Sequence, residues 1–341
     1  MKVSYSFIQA LRGVAALWVV LFHAMKGEHI EALYAALPGW LAASVFDAGH
    51  LGVAIFFTLS GFVIAHSLDG KEMTVPGWGH FMLRRSIRLD PTYWASLTVV
   101  IALGLLSASL KGEAVSGPGV DSILAHVAYL QIILGFPQID VVYWTLAYEV
   151  QFYAVFALAM MIPRYRLLLF GLAVPAAAGL FSGLHEGIFL VYWAAFFVGA
   201  VARFAVSDLK WLAGLLPLCG VLGWSGEFGV ANAVTAVFLW AGAYSAWGVN
   251  GLNFRWLQHL GAISYSLYLF HNPTISAVGV ITRRVLGQGV VADIIELGVM
   301  IAICIAVAHL VWLCIERPSQ RLSKRIGVTR DVDLKAASLT A

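Results

Sequence analysis

Stretches of about 20 mostly apolar residues, the length at which a helix crosses a bilayer, recur along the whole chain. Only 11% of the 341 residues are charged and 61% are hydrophobic, whereas a soluble domain has about 25% charged residues. This composition excludes a soluble enzyme, a disordered chain and a nucleic-acid-binding domain. We therefore predict an all-α, polytopic membrane protein with about ten transmembrane helices in one bundle. The predicted spans are 6–25, 46–66, 91–110, 143–162, 167–183, 188–205, 211–226, 230–248, 260–281 and 293–314.

A further apolar run at 123–135 affects the predicted orientation of every later loop. It has only about 13 residues, which is typical of an interfacial or re-entrant segment. If this run does not cross and the N-terminus is inside, only four of the 21 Lys and Arg residues lie outside, as expected from the cytoplasmic bias of basic loops. Both termini are therefore predicted to be cytoplasmic. Residues 1–327 are expected to form one membrane domain, and 328–341 a polar, flexible tail.

The first predicted span contains two ionisable residues, Arg12 and His23, of a kind that is costly in a bilayer and functional by default. They are eleven residues apart, so they lie within about 20° of one helical face and about 16 Å apart along it. Ala16 and Val19 occupy the stripe between them. An arginine reaching the headgroups and a histidine at the outer helix end would explain each residue alone. The shared face favours a functional pair.

A basic cluster of Arg84, Arg85 and Arg88 precedes the third predicted span. Spacings of three and four residues put these cations on one helical face. Arginines at a membrane surface can set topology or bind anionic lipid, and composition alone favours that interpretation. Arginine also binds phosphate through two parallel hydrogen bonds, so a polyphosphate ligand is the alternative.

Glu149 lies about one turn inside the fourth predicted span and shares a helical face with Tyr153. A carboxylate at this depth needs a partner, and we predict a histidine in the outer third of another helix. The alternative is an interfacial glutamate among the aromatic residues that gather at membrane surfaces.

The ninth predicted span has a polar stripe of Ser264, Tyr268 and His271, which lie on one helical face. Pro273 cannot donate to the carbonyl of Leu269 and should kink the helix. A stripe and a kink together predict the wall of a polar cavity.

Two other features are interpreted as structural. Ser60 and Gly61, in the middle of the second span, indicate close helix packing. A nucleophilic role for Ser60 is disfavoured because the Gly-x-Ser-x-Gly elbow is absent. The three cysteines form neither a CxxC pair nor a zinc spacing, so no disulfide framework and no metal site is predicted.

Six segments, in this order, resemble the acyltransferase 3 family of bacterial integral membrane proteins, which includes O-antigen and exopolysaccharide O-acetyltransferases. The resemblance extends over residues 6–325. The segments are LRGVAAL with His23 (11–23), GVAIFFTLSGF (52–62), RSIRLDPTY (85–93), WTLAYEVQFY (144–153), SYSLYLFH (264–271) and ERP (316–318).

This resemblance implies transfer of an acyl group, acetyl in particular, from cytoplasmic acyl-CoA to a hydroxyl. The acceptor would be a carbohydrate, a glycolipid or a small hydroxylated molecule. It also implies a multi-pass protein of the bacterial cytoplasmic (inner) membrane, with acyl-CoA as co-substrate and no metal. Membrane lipids are expected partners and nucleic acid is not. The resemblance gives roles to Arg12, His23, Arg85 and Arg88.

The resemblance and the residue pattern together predict a mechanism. Arg12, Arg85 and Arg88 are expected to bind the coenzyme A phosphates, and His23 is the expected general base. Glu149 or His271 would hold the tautomer of His23, as the carboxylate does in a Ser-His-Asp triad. An acyl-imidazole intermediate is a chemical alternative. A polytopic transporter of a polar or anionic solute would share the helices and the intramembrane charges, and remains the alternative function.

Overall fold

The computed structural model describes residues 5–114, 116–181, 183, 187–245 and 247–326. The predicted tail at 328–341 lies outside the described residues. Within the described ranges the secondary structure is helical and contains no strand, which confirms the all-α prediction.

Seven α-helices lie in the described part of the first half of the chain. They are α1 (Ser6–Lys26), α2 (Glu31–Ala36), α3 (Gly39–Val45), α4 (Gly52–Leu68), α5 (Val75–Lys111), α6 (Val120–Val127) and α7 (Trp144–Ala159). Nine helices follow in the described part of the second half. They are α8 (Tyr165–Ala177), α9 (Trp193–Ser207), α10 (Leu212–Trp224), α11 (Glu227–Tyr244), α12 (Trp247–Asn250), α13 (Arg255–Ala262), α14 (Ser264–Leu286), α15 (Val290–Val311) and α16 (Arg317–Ser323).

Each of the ten predicted apolar runs overlaps at least one described helix, as expected of a multi-pass membrane protein. Five described segments are long and apolar enough to cross a bilayer: Ser6–Lys26, Gly39–Leu68, Val75–Lys111, Phe189–Ser207 and Val290–Ser323. Helices α8 and α10 have 13 residues each, fewer than the ~20 of a full crossing. Ten crossings and cytoplasmic termini therefore stay predictions.

The segment 120–143, which we call the re-entrant segment, enters the bundle to the level of Asp90 and then returns to the level of Val100. Helix α6 has eight residues, or about 12 Å, which is too short to cross the membrane. Beyond it, the hydroxyl of Tyr129 donates to Asp90 Oδ1 at 2.9 Å, and its ring stacks on Tyr93 at a centroid distance of 4.8 Å. Asp90 lies about 30 Å along α5 from the helix end at Lys111. The segment thus reaches deep into the bundle.

Helices α4 and α9 cross at very short range through two glycines. A Cβ added at Gly61 would overlap the carbonyl of Phe196, and one added at Gly199 would overlap the carbonyl of Thr58. Small residues at such crossings let helix backbones approach within a membrane. The close packing predicted at Gly61 is therefore confirmed.

Helix α14 continues through Pro273 without interruption. The carbonyl that the proline leaves free belongs to Leu269, and it accepts a hydrogen bond from Ser96 Oγ of α5 at 2.9 Å. Ser96 in turn accepts from the hydroxyl of Tyr143 at 2.8 Å. The carbonyl of Leu269 thereby connects α14 to Ser96 of α5 and, through Ser96, to Tyr143, the residue before α7.

Candidate active site

The three arginines identified in the sequence meet at one narrow cavity. Arg12 of α1 and Arg85 and Arg88 of α5 all line this cavity, which has a volume of about 100 Å³ and lies between α1, α4, α5, α7 and α14. We call it the arginine cavity. A wider cavity of about 820 Å³ shares Arg12 and Val63 with it.

The guanidinium groups of the arginine cavity are not neutralised by close partners. Among the described residues, no ion pair or hydrogen bond engages Arg12, Arg85 or Arg88. Arg85 lies over the ring of Tyr153, 4.8 Å from its centroid. Glu149 and Glu316 act on Arg12 only at longer range. Three cations against two carboxylates leave an excess of positive charge with free N–H donors, which suits a phosphate-bearing ligand.

Glu149 belongs to this cavity and not to the histidines. Its Oε1 accepts hydrogen bonds from Ser60 Oγ, at 2.6 Å, and from the hydroxyl of Tyr153. Ser60, Glu149 and Tyr153 all line the cavity. The predicted contact between Glu149 and His23 does not occur in the described structure. Ser60 likewise contacts a carboxylate and a phenol instead of a histidine base.

The depth at which α7 begins explains this difference. Thr145, in the first turn of α7, shares a 2.9 Å hydrogen bond with the hydroxyl of Tyr268, one turn before His271 on α14. Glu149 is four residues further along α7, about 6 Å closer to the arginines. The re-entrant segment lies at the depth where the sequence prediction placed the start of the fourth span.

His23 and His271 form a direct pair. Nε2 of His271 lies 3.2 Å from Nδ1 of His23, and their ring centroids are 4.8 Å apart at an angle of 67°. Nδ1 of His271 lies 2.8 Å from the carbonyl oxygen of Tyr268. A nitrogen facing a carbonyl must donate, so neutral His271 has its proton on Nδ1 and accepts at Nε2.

The tautomer of His23 also follows from its hydrogen-bond partners. Its Nδ1 faces two acceptors, Nε2 of His271 and the carbonyl oxygen of Val19 at 3.0 Å. Nδ1 therefore holds the proton, and Nε2 of neutral His23 retains a lone pair. This arrangement leaves Nε2 as a base.

Two aromatic rings separate the arginine cavity from the histidine pair. Phe56 and Tyr268 line the far end of the cavity, and their centroids are 5.6 Å apart. The ring of Tyr268 lies 5.9 Å from that of His271. The predicted site residues thus form two groups, the arginines with Glu149 and the two histidines, on either side of these rings.

A buried glutamate near the arginines was missed by sequence reasoning. Glu316 is only 2% exposed and lies in the π-helical stretch Trp312–Glu316. It accepts from Ser266 Oγ at 2.5 Å and from Gln320 Nε2 at 2.8 Å. The ERP segment at 316–318 was the available signal, but the family resemblance gave Glu316 no role.

Two further polar groups lie near the site, Ser264 and Asp140. Ser264 lines the arginine cavity, and its buried Oγ has no hydrogen-bond partner among the described residues. Asp140 Oδ1 accepts from Asn272 Nδ2 at 3.0 Å, directly after His271. Burial raises the pKa of Asp140 to about 6. The polar stripe contained Ser264, but no pattern pointed to Asp140.

The described residues form a helical membrane bundle in which the arginine cavity lies next to a histidine pair. The chain belongs to the acyltransferase domain family Acyl_transf_3, whose family model matches residues 5–314. It is therefore an acyltransferase, and the transporter alternative is set aside.

Two curated relatives cover most of the chain. It is 28% identical over 332 aligned residues to the "Exopolysaccharide production protein ExoZ" of Rhizobium meliloti (strain 1021), covering 86% of this chain and 96% of the relative. It is 29% identical over 308 residues to the "Putative membrane-bound transacylase BcsY" of Komagataeibacter xylinus, covering 79% of this chain and 72% of the relative. No solved structure matches the chain.

Proposed function

We propose that this membrane acyltransferase moves an acyl group, acetyl in particular, from acyl-CoA to a hydroxyl of a carbohydrate in the bacterial cytoplasmic membrane. The observation that supports the donor best is the set of three unneutralised guanidinium groups around one cavity. The name of the exopolysaccharide production relative supports a carbohydrate acceptor.

Coenzyme A has phosphates at one end and a thioester at the other, joined by a long thin arm. In our proposal the phosphates bind Arg12, Arg85 and Arg88, and the arm follows the narrow cavity. Along α1, Arg12 and His23 are about 16 Å apart. The thioester reaches His23 once the rings of Phe56 and Tyr268 move aside.

The chemical step then uses Nε2 of His23. This atom removes the proton of the acceptor hydroxyl while the hydroxyl oxygen attacks the thioester carbonyl carbon. The carbon–sulfur bond breaks, the coenzyme A thiolate leaves, and the imidazolium returns the proton to it. His271 accepts from Nδ1–H of His23 throughout and acts as a positioning residue. General base catalysis of this kind contributes about 10²- to 10⁴-fold.

Donor affinity tests the proposal. Binding of radiolabelled acetyl-CoA is measured on the purified protein and on the variants Arg12→Ala, Arg85→Ala and Arg88→Ala. Each should bind at least ~10-fold more weakly, because hydrogen bonds to charged groups contribute about 1.5–3 kcal/mol. Arg85→Lys should recover only part of the loss, since lysine lacks the forked geometry.

Arg84→Ala is the matched control, because Arg84 belongs to the same helix and the same cluster but does not line the cavity. Its donor affinity should equal that of the unmodified protein. Unchanged affinity in all three cavity variants, or an equal loss in Arg84→Ala, would contradict the donor site.

A further inference from the structure

A second cleft lies far from the arginine cavity, between α5 and the re-entrant segment. Its volume is about 570 Å³, within the roughly 300–1,000 Å³ of small-molecule sites. The α5 residues that line it extend from Val100 to Leu105. They follow Arg88 by 12–17 residues, which is about 18–26 Å along the helix axis. We call this space the distal cleft.

The walls of the distal cleft offer acceptor oxygens and one aromatic ring. Gln138 lines the cleft, and its buried Oε1 has no hydrogen-bond partner in the part of the chain that the structure describes. A buried acceptor without a donor costs stability, so a ligand with hydroxyl donors would satisfy it. Asp121 adds a carboxylate and Phe136 adds a ring. Residues 117–119 are Gly-Pro-Gly, which leaves that wall without bulky side chains.

The charge of the distal cleft separates it from the arginine cavity. None of the described residues that line it is Lys or Arg, so it does not suit a polyphosphate such as coenzyme A. Hydroxyl groups that donate to Gln138 and Asp121, together with an apolar C–H face that lies on Phe136, are features of a sugar ring.

The distal cleft is also tied to the histidine pair. Ile139, in its wall, donates its backbone N–H to His126 Nε2 at 3.2 Å. The next residue, Asp140, accepts from Asn272 at 3.0 Å, and Asn272 directly follows His271. These hydrogen bonds therefore fix the position of the cleft wall relative to α14, the helix that contains His271.

We propose that the distal cleft binds the acceptor sugar, with Gln138 Oε1 accepting from a sugar hydroxyl and Phe136 lying under the ring. This inference rests on the proposed function and adds the acceptor site to it. Donor and acceptor then approach the histidine pair from opposite ends of the bundle. The exposed side chains of Leu103, Leu106 and Leu110 on α5 place lipid beside the cleft. The sugar can therefore come from a free polysaccharide or from a lipid-linked precursor.

Acceptor kinetics test the distal cleft. Transfer of radiolabelled acetyl from acetyl-CoA is measured in phospholipid nanodiscs with two probes, a gluco-tetrasaccharide and the same tetrasaccharide linked through pyrophosphate to a polyprenol. Gln138→Ala and Phe136→Ala should each raise the acceptor KM at least ~10-fold and leave the acetyl-CoA KM unchanged. Gln138→Glu keeps an acceptor oxygen and should lose less. A lower KM for the lipid-linked probe would identify the precursor as the source.

Gln288→Ala is the control, because Gln288 is an exposed glutamine that does not line the cleft. Its KM values should be unchanged. Transfer by the unmodified protein with normal acceptor KM in both cleft variants would overturn the acceptor site alone. An unmodified protein that binds acetyl-CoA but acylates neither probe would overturn the carbohydrate acceptor of the proposed function as well.

Discussion

The Nε2 atom of His271 faces Nδ1 of His23 at 3.2 Å, so one imidazole orients the other. In the described structure no carboxylate hydrogen-bonds to either ring. A neutral acceptor fixes the tautomer of His23 as a carboxylate would, but it offers less stabilisation to the imidazolium that forms during proton transfer. The geometry thus gives the two histidines different roles, a base and its positioning partner.

These roles predict different kinetics for the two histidine variants. His23→Ala should abolish transfer and retain acetyl-CoA affinity, because the imidazole lies far from the arginines. His271→Ala should lower kcat about 10²-fold at unchanged acetyl-CoA KM, and His271→Gln should recover part of it by offering an oxygen to Nδ1–H. Steady-state kinetics and acetyl-CoA binding measure both effects. Near-normal turnover in His23→Ala would place the base elsewhere.

Glu149→Gln tests whether Glu149 acts through His23 or within the arginine cavity. An amide oxygen can still accept from Ser60 and Tyr153, while one negative charge near the arginines is lost. We expect kcat to change little and the acetyl-CoA KM to fall by at most ~5-fold, most clearly at low ionic strength. A large loss of kcat at unchanged acetyl-CoA KM would instead restore the catalytic role predicted from the sequence.

Ser264→Ala should weaken donor binding without destabilising the protein. Its buried hydroxyl has no partner among the residues that the structure describes, so its removal costs no hydrogen bond between them. We expect the acetyl-CoA KM to rise about 5- to 10-fold, the value of one hydrogen bond, with an unchanged melting temperature.

Ser266→Ala is the matched control for Ser264→Ala, because Ser266 donates to buried Glu316 at 2.5 Å. Losing this bond leaves a buried carboxylate less satisfied, at a cost of about 1–3 kcal/mol. The melting temperature should fall in this variant and not in Ser264→Ala. The reverse order would show that Ser264 has a structural partner.

Asp140 predicts a pH dependence of stability. Burial raises its pKa to about 6 in the folded protein, above the ordinary value of 3.8. Between these two pH values the folded state holds more protons than the unfolded state, so stability falls as pH rises through this window. Above pH 6 the cost is constant and on the order of 2–3 kcal/mol.

Asp140→Asn should remove this dependence, because an amide oxygen can still accept from Asn272 and from the backbone N–H of Val142. The variant should unfold at a higher temperature than the unmodified protein at pH 7.5 and at a similar temperature at pH 4. Thermal unfolding in detergent at several pH values measures this. Parallel pH profiles for the two proteins would rule out Asp140 as their source.

Local periodicity predicted the parts of the site that lie within single helices. The shared face of Arg12 and His23, and the stripe that ends at His271, follow from 3.6 residues per turn, and these helices occur where the apolar runs predict them. Contacts between distant segments have no such local signal. The pairing of Asp140 with Asn272 and that of Ser266 with Glu316 each depend on how separate helices are placed.

The wrong partner predicted for Glu149 also results from contacts between distant segments. Its position within α7 followed from the sequence, but its depth depends on the re-entrant segment, whose fold involves the contact of Tyr129 with Asp90. A short apolar run shows that a segment is too short to cross the bilayer as a helix. It does not show how far the segment enters the bundle or which helices it displaces.

Pro273 helps to fix the distance between His271 and Arg88. Because the proline has no N–H, the carbonyl of Leu269 is free to accept a hydrogen bond from Ser96. On α14, Leu269 lies two residues before His271. On α5, Ser96 lies eight residues after Arg88. The bond therefore sets the imidazole level about 12 Å along α5 from the arginine that is proposed to bind phosphate. A donor of fixed arm length requires such a fixed span. Sliding of α14 against α5 by one turn would break this hydrogen bond before the donor could be misaligned.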